Sequence, residues 1–141
     1  MKPLLRAATR VHVWLYKATN GRIGGRIRKA RILLLTTTGR KSGRARTTPV
    51  SYLNIDNKIA ICGASLGSDQ PPAWLRNLEQ DPHVQVRVGL QQTTALARIT
   101  PPDQRDNLWP RMTDQLPTLR TYQAKTTRTL PIVLLEPDTQ Y

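Results

Sequence analysis

Nine consecutive residues of this chain have the composition of an anion cradle: Thr38-Gly39-Arg40-Lys41-Ser42-Gly43-Arg44-Ala45-Arg46. Without a Cβ at Gly39 and Gly43, backbone N–H groups can converge on phosphate or carboxylate oxygens. Ser42 adds a hydroxyl. Arg40, Lys41, Arg44 and Arg46 add charge-assisted hydrogen bonds, and the guanidinium forks match planar oxyanions. The segment is no Walker loop, because Lys41 precedes Gly43 instead of following the last glycine. Read alone, it is also compatible with a solvated basic turn between two strands.

Other chemistries find little support. The histidines, His12 and His83, are far apart, and Cys62 is the single cysteine, so no metal site is expected. No nucleophile elbow is present. If the chain is an enzyme, a cofactor carries the reaction and the protein supplies binding and electrostatics. The charge is distributed unevenly: the first 55 residues hold 13 Lys and Arg and no carboxylate before Asp56, and this part accounts for the whole net charge of +13. Such a chain binds nucleic acid or anionic lipid adventitiously. With no helix-turn-helix, zinc ligands or aromatic RNA-reading strand, specific nucleic-acid binding is not expected.

The elements that must position the basic segment follow from periodicity. Residues 3 to 19 read as a helix, with Leu4, Ala8, Val11, Leu15 and Ala18 as one apolar stripe and Arg6, Arg10 and Lys17 off it. That helix suits packing on its own domain, an anionic membrane surface or a second chain. Asn20-Gly21 stops it, and Gly24-Gly25 reads as a mobile connector. Ile32 to Leu35, followed by three threonines, reads as a doubly buried strand leading into the basic turn. A second strand runs through Thr47, Val50 and Tyr52, where Pro49 implies an edge or a bulge. Asp56-Asn57 turns the chain into a third strand, Lys58 to Cys62.

Beyond a polar loop, Pro71-Pro72 opens a short helix carrying Trp74, Leu75 and Leu78. Val84, Val86 and Val88 alternate as a half-buried strand that His83 begins, and Ala95, Ala97 and Ile99 form another after a turn near Gly89 to Gln92. A helix from Asp103 to about Gln115 should be kinked or divided by Pro110. Residues 117 to 125 give a short helix, and Leu130 to Leu135 a last buried strand. The pattern is α+β with a mostly antiparallel, barrel-like sheet. The length suits one domain, and the absence of a signal peptide or membrane-spanning run points to a cytoplasmic protein.

Residues 33 to 50, LLLTTTGRKSGRARTTPV, closely resemble the signature of the deazaflavin-dependent nitroreductase family. Further matching blocks follow in the family's order: Gly63-Ala64-Ser65, Pro72 to Leu78, Asp81 to Val84, Tyr122-Gln123, Thr127-Arg128 and Leu130 to Pro137. The resemblance implies a split β-barrel of the flavin-reductase-like kind over residues 30–141, preceded by a helix and basic connector over 1–29. It implies coenzyme F₄₂₀ as cofactor, whose phosphodiester and oligoglutamate tail give the basic turn a purpose. Arg40, Lys41, Arg44 and Arg46, with Ser42 and Gly43 in the same turn, would hold the phosphate and tail carboxylates. By similarity Thr48, Pro49, Ala64 and Ser65 line the deazaflavin ring, while Trp74 and Asn77 support the pocket.

The implied reaction is hydride transfer from C5 of the reduced coenzyme to a small-molecule acceptor, with Ser65 and Tyr122 as the hydrogen-bond donors. Nitroimidazole-reducing members carry further tyrosines where this chain has Ser51, Leu116 and Leu119. That departure favours a lipophilic acceptor such as a quinone and a weaker hold on a nitro-type anion; residues 3 to 19 would then rest on a membrane surface. The alternatives are FMN in the same fold, a non-catalytic carrier of either coenzyme and, more remotely, a basic nucleic-acid-binding module. Oligomeric state is not legible.

Overall fold

The computed structural model describes residues 3–22, 24–27 and 30–137. Helix α1 spans Pro3–Thr19, and Arg26–Ile27 form a two-residue strand, β1. The strands of the barrel are β2 (Ala30–Thr38), β3 (Ala45–Ile55), β4 (Lys58–Cys62), β5 (His83–Val88), β6 (Gln91–Ile99) and β7 (Ile132–Pro137). Between them lie α2 (Ala73–Gln80), α3 (Pro102–Gln115) and α4 (Thr118–Ala124). Every pairing is antiparallel in the order β2-β3-β4-β7-β6-β5, and a β5–β2 pairing closes the circle.

The period of two in the strands decides what is inside. Leu33 and Leu35 of β2 point inward with Val50, Ile61, Val86 and Val133, and Leu75 and Leu78 of α2 join that cluster. The intervening Ile32 and Leu34 pack outward against Tyr16 and Val13 of α1. This is the doubly buried run read from the sequence. On the far side, α3 and α4 bring Leu108, Met112 and Leu119 against the outer face of β4 and β7. At the β3–β4 turn Asp56 and Asn57 both take positive φ, 53° and 64°, the backbone that a two-residue hairpin of matching twist requires.

Four expectations need correction. The face of α1 that packs is centred on Tyr16 and Val13, not on the stripe that includes Val11: Tyr16 is buried, whereas Val11 is 56% and Trp14 67% exposed. The reason is polar as well as apolar. The Tyr16 hydroxyl donates to the Arg87 carbonyl (3.2 Å) and accepts from the Gly89 amide (2.8 Å), so a large ring is buried with its polar tip satisfied. The Gly24-Gly25 connector is tethered: His12 Nε2 donates to the Gly24 carbonyl at 2.7 Å, and the Ile32 amide to that of Gly25 at 2.8 Å.

Pro110 does not divide its helix, which runs unbroken over Pro102–Gln115. The Asp106 carbonyl, whose usual donor it removes, belongs to an exposed residue and can be hydrated. Finally, β6 starts at Gln91, paired with Val88, and leaves only Gly89-Leu90 as turn. The Gln-Gln-Thr-Thr run carries no apolar alternation and is held by its ladder to β5 and by a hydrogen bond from Gln92 Nε2 to Gln85 Oε1 (2.9 Å). Pro49 behaves as expected. From Ala45 to Ser51, β3 pairs with β2 only, because β4 joins its other edge from Tyr52 onward.

Candidate functional site

The unpaired edge of β3 opens onto a cleft of about 230 Å³. Pro49, Val50 and Ser51 line it from β3, and Cys62, Ala64, Ser65 and Leu66 from the end of β4 and the turn beyond. Pro72 and Trp74 close it at the start of α2, and Met112, Leu116, Leu119 and Tyr122 cover it from α3 and α4. The walls are mostly apolar. The hydroxyls of Ser65 and Tyr122 have no hydrogen-bond partner among the described residues, so both remain available to something placed in the cleft.

The loop after β4 has an unusual backbone. Ser65, Leu66 and Gly67 are three successive left-handed residues, with φ of 45°, 56° and 84°. For a serine and a leucine this costs about 1–3 kcal/mol each, so the surroundings must impose it. Gly67 is required twice over, since a Cβ there would also stand 2.9 Å from the Tyr122 carbonyl. The turn therefore lies directly against α4, and Leu66 is left 73% exposed at the cleft rim.

The basic turn joins this cleft through a buried amide. Asn77 Oδ1 accepts from the Arg40 backbone N–H (3.2 Å) and from an Arg40 guanidinium nitrogen (3.0 Å), and Asn77 Nδ2 donates to Thr37 Oγ1 (3.0 Å). Trp74 lies one helical turn earlier on α2 and lines the cleft. From Arg46 to Pro49 is three residues, or about 10 Å of strand. Within the turn the Gly39 amide donates to the Arg44 carbonyl, the Gly43 amide to that of Gly39, and the Arg44 amide to Ser42 Oγ. Lys41, Ser42, Gly43, Arg44 and Arg46 are exposed. Among the described residues none of the four cations has a carboxylate in ion-pair range. That donor set fits a flexible polyanion.

Of the residues singled out from the sequence, Pro49, Ala64, Ser65, Trp74 and Tyr122 meet in the cleft. Asn77 lies behind it as the brace of Arg40. Thr48 is not part of the lining; it pairs with Leu35 and so shares the inward face of β3. Ser51, Leu116 and Leu119 do line the cleft, so the aliphatic character inferred for it rests on residues in place. Cys62, Leu66, Pro72 and Met112 were not anticipated, since only the fold brings them together. The Cys62 thiol is pushed up from 9.0 to about 12, by burial first, against the opposing pull of Arg105 and Arg128. It is a neutral wall group, not a thiolate nucleophile.

Residues 8–137 match the family model of the F₄₂₀H₂-dependent quinone reductases. The chain belongs to that family. An F₄₂₀H₂-dependent quinone reductase of Mycobacterium tuberculosis (strain H37Rv) is 35% identical over 130 residues, covering 89% of this chain and 87% of its own length. A solved F₄₂₀H₂-dependent reductase superposes with a TM-score of 0.67 at 31% identity, over 74% of this chain and 93% of that one. A second solved structure, described as a domain-swapped dimer, gives a TM-score of 0.70 at 27% identity over 96% of this chain and all of its own. The deazaflavin resemblance is thereby confirmed, with quinone reductase as the fitting family name and nitroreductase only loosely related.

Proposed function

We propose that the chain is an F₄₂₀H₂-dependent reductase that delivers a hydride to a lipophilic, quinone-like acceptor in the cleft beside β3. One observation carries this reading: a turn whose four cations have no carboxylate partner among the described residues is tied at Arg40, through Asn77, to the helix that lines an apolar cleft with two hydroxyls likewise unpartnered. The coenzyme, when bound, supplies the hydride. A cleft of about 230 Å³ accommodates a ring system but not a long charged arm, so the phosphodiester and glutamate tail fall to Arg40, Lys41, Arg44 and Arg46. Pro49, Ala64 and Trp74 form walls that orient the ring and exclude water. Ser65 and Tyr122 donate hydrogen bonds to oxygen on which negative charge develops. Ser51, Leu116 and Leu119 offer no phenol, and a carbonyl acceptor fits them better than a nitro group does.

Membrane contact is the finer part of the reading. No helix of the described residues is long and apolar enough to cross a membrane. Val11 and Trp14 nonetheless stand exposed on α1 beside Arg10 and Lys17, a surface suited to the headgroup region of an anionic leaflet.

The test is a fluorescence titration with oxidised F₄₂₀, with FMN in parallel, followed by turnover on a soluble quinone and on one embedded in anionic vesicles. Tight F₄₂₀ binding that weakens at least about tenfold in Lys41→Ala/Arg46→Ala, with quinone turnover, is expected. FMN binding without F₄₂₀ binding would overturn the reading of the cofactor, and F₄₂₀ binding without turnover would leave a carrier. Trp14→Glu should slow turnover on the vesicle quinone alone; equal rates on both substrates would remove the membrane from the reading.

A further inference from the structure

Arg128 does not line the cleft, yet its guanidinium reaches three backbone carbonyls of the loop that does. Nε donates to Ser68 O (2.9 Å) and the two terminal nitrogens to Gly63 O (2.9 Å) and Ala64 O (3.0 Å). These carbonyls flank the left-handed Ser65-Leu66-Gly67 turn on both sides. Inside the turn only two short-range bonds help, Gly67 N to Ala64 O and Ser68 N to Ser65 O. Among the described residues Arg128 has no carboxylate in ion-pair range, and each of its three guanidinium nitrogens donates to backbone. A lysine could not span three carbonyls in fixed directions.

The segment carrying Arg128 is itself anchored to the helix of Tyr122. Gln123 Nε2 donates to the Arg128 carbonyl (2.8 Å), and Gln123 Oε1 accepts from the Leu130 amide (3.0 Å) and from Arg105 (3.3 Å). Thr126 Oγ1 accepts from the Arg128 amide and donates to Asp69 Oδ1 at 2.7 Å. One network therefore connects the two cleft elements that present the free hydroxyls, the Ser65 turn and α4.

We propose that Arg128 is the positioning residue of the acceptor side of the cleft. It holds the Ser65-Leu66-Gly67 turn in its left-handed form and so fixes where the Ser65 hydroxyl and the Leu66 side chain stand relative to Tyr122. This rests on the reading of the cleft as the hydride-acceptor site. The basic turn, which takes the charged coenzyme tail, is braced separately by Asn77, and the coenzyme ring meets the clamped loop only at Ala64, so loss of Arg128 should be felt far more by the acceptor than by the coenzyme.

The experiment is a double-mutant cycle of Arg128→Ala and Ser65→Ala, reading kcat and KM for a quinone beside the Kd for F₄₂₀, with hydrogen exchange of the 63–68 amides. Arg128→Ala should lower kcat/KM by roughly ten- to a hundredfold, the scale of a misplaced reacting group, while the F₄₂₀ Kd moves less than about threefold. In the Ser65→Ala background the same change should cost less than about threefold more, because the two residues act as a unit. Added guanidinium should restore part of the activity of Arg128→Ala, and Arg128→Lys should not.

A parallel loss of F₄₂₀ affinity, or effects that multiply, would overturn the proposal and leave Arg128 a general support of the fold. Should Arg128→Ala not fold, Arg128→Lys carries the same comparison. If the unaltered chain fails to oxidise F₄₂₀H₂, it is the functional reading that fails. Exchange at the Gly67 and Ser68 amides still decides the clamp: acceleration in the variant supports it and unchanged exchange sinks it.

Discussion

At the scale of single residues, the cleft separates groups that can meet a substrate from groups that only shape it. The hydroxyls of Ser65 and Tyr122 have no partner among the described residues, whereas Cys62 is held neutral. The sign of the latter effect is testable. With its pKa raised from 9.0 to about 12, the native Cys62 keeps a proton that the unfolded chain releases above its ordinary value. Stability from this group is thus unaffected below about pH 8 and falls as pH rises beyond 9, by up to roughly 1 kcal/mol per pH unit. Thermal unfolding between pH 7 and 10 should show a steeper decline for the native chain than for Cys62→Ala. Parallel curves would mean that the thiol ionises freely in the fold.

At the scale of elements, the brace between the basic turn and α2 is a single amide. Asn77→Leu keeps the volume but leaves Thr37 Oγ1 and the Arg40 amide without their partner, at about 1–3 kcal/mol. The expected outcome is a Tm lower by several degrees and a weaker hold on F₄₂₀, with kcat for the acceptor little changed; unchanged F₄₂₀ affinity would show that the turn orders itself. This brace also marks the limit of what the sequence discloses. The strands, the Asp56-Asn57 hairpin and the open edge at Pro49 were legible because period-two burial and turn chemistry are local signals. The packed face of α1 was not, because Tyr16 is chosen by partners 71 and 73 residues away. Cys62 was not anticipated in the lining for a related reason, and Thr48, expected beside the ring, stands on the inward face of β3. A family signature tells which residues recur together, but the pleat decides which face each one takes. Arg128 stood in a recognised block, and only the folded loop shows what it grips.

At the scale of the whole molecule, charge and shape divide the labour. The excess of +13 lies in the amino-terminal part, which supplies α1 and the basic turn, while α3 and α4 supply the apolar cover of the cleft. Encounter with a polyanionic coenzyme is therefore steered by this positive charge, and F₄₂₀ association should slow steeply with added salt while the KM for a neutral quinone stays flat. Stopped-flow mixing at two ionic strengths decides this, and a salt-independent association rate would deny the turn its role.

Along Ala45 to Ser51 the barrel has an open edge, where β3 has no second strand beside it. An open edge of this kind is a template on which another chain can pair and start an aggregate. Pro49 interrupts the template, lacking the N–H that an incoming strand would need, and with Val50 and Ser51 it forms the part of the edge that lines the cleft. A bound coenzyme ring shields that edge, so the same molecule that supplies the hydride would also act as a guard against self-association. The empty protein should then scatter light on warming before the loaded one does, and by a wider margin than the gain in melting temperature explains. Supply of the coenzyme would in that way set how long the folded chain survives, quite apart from how fast it turns over.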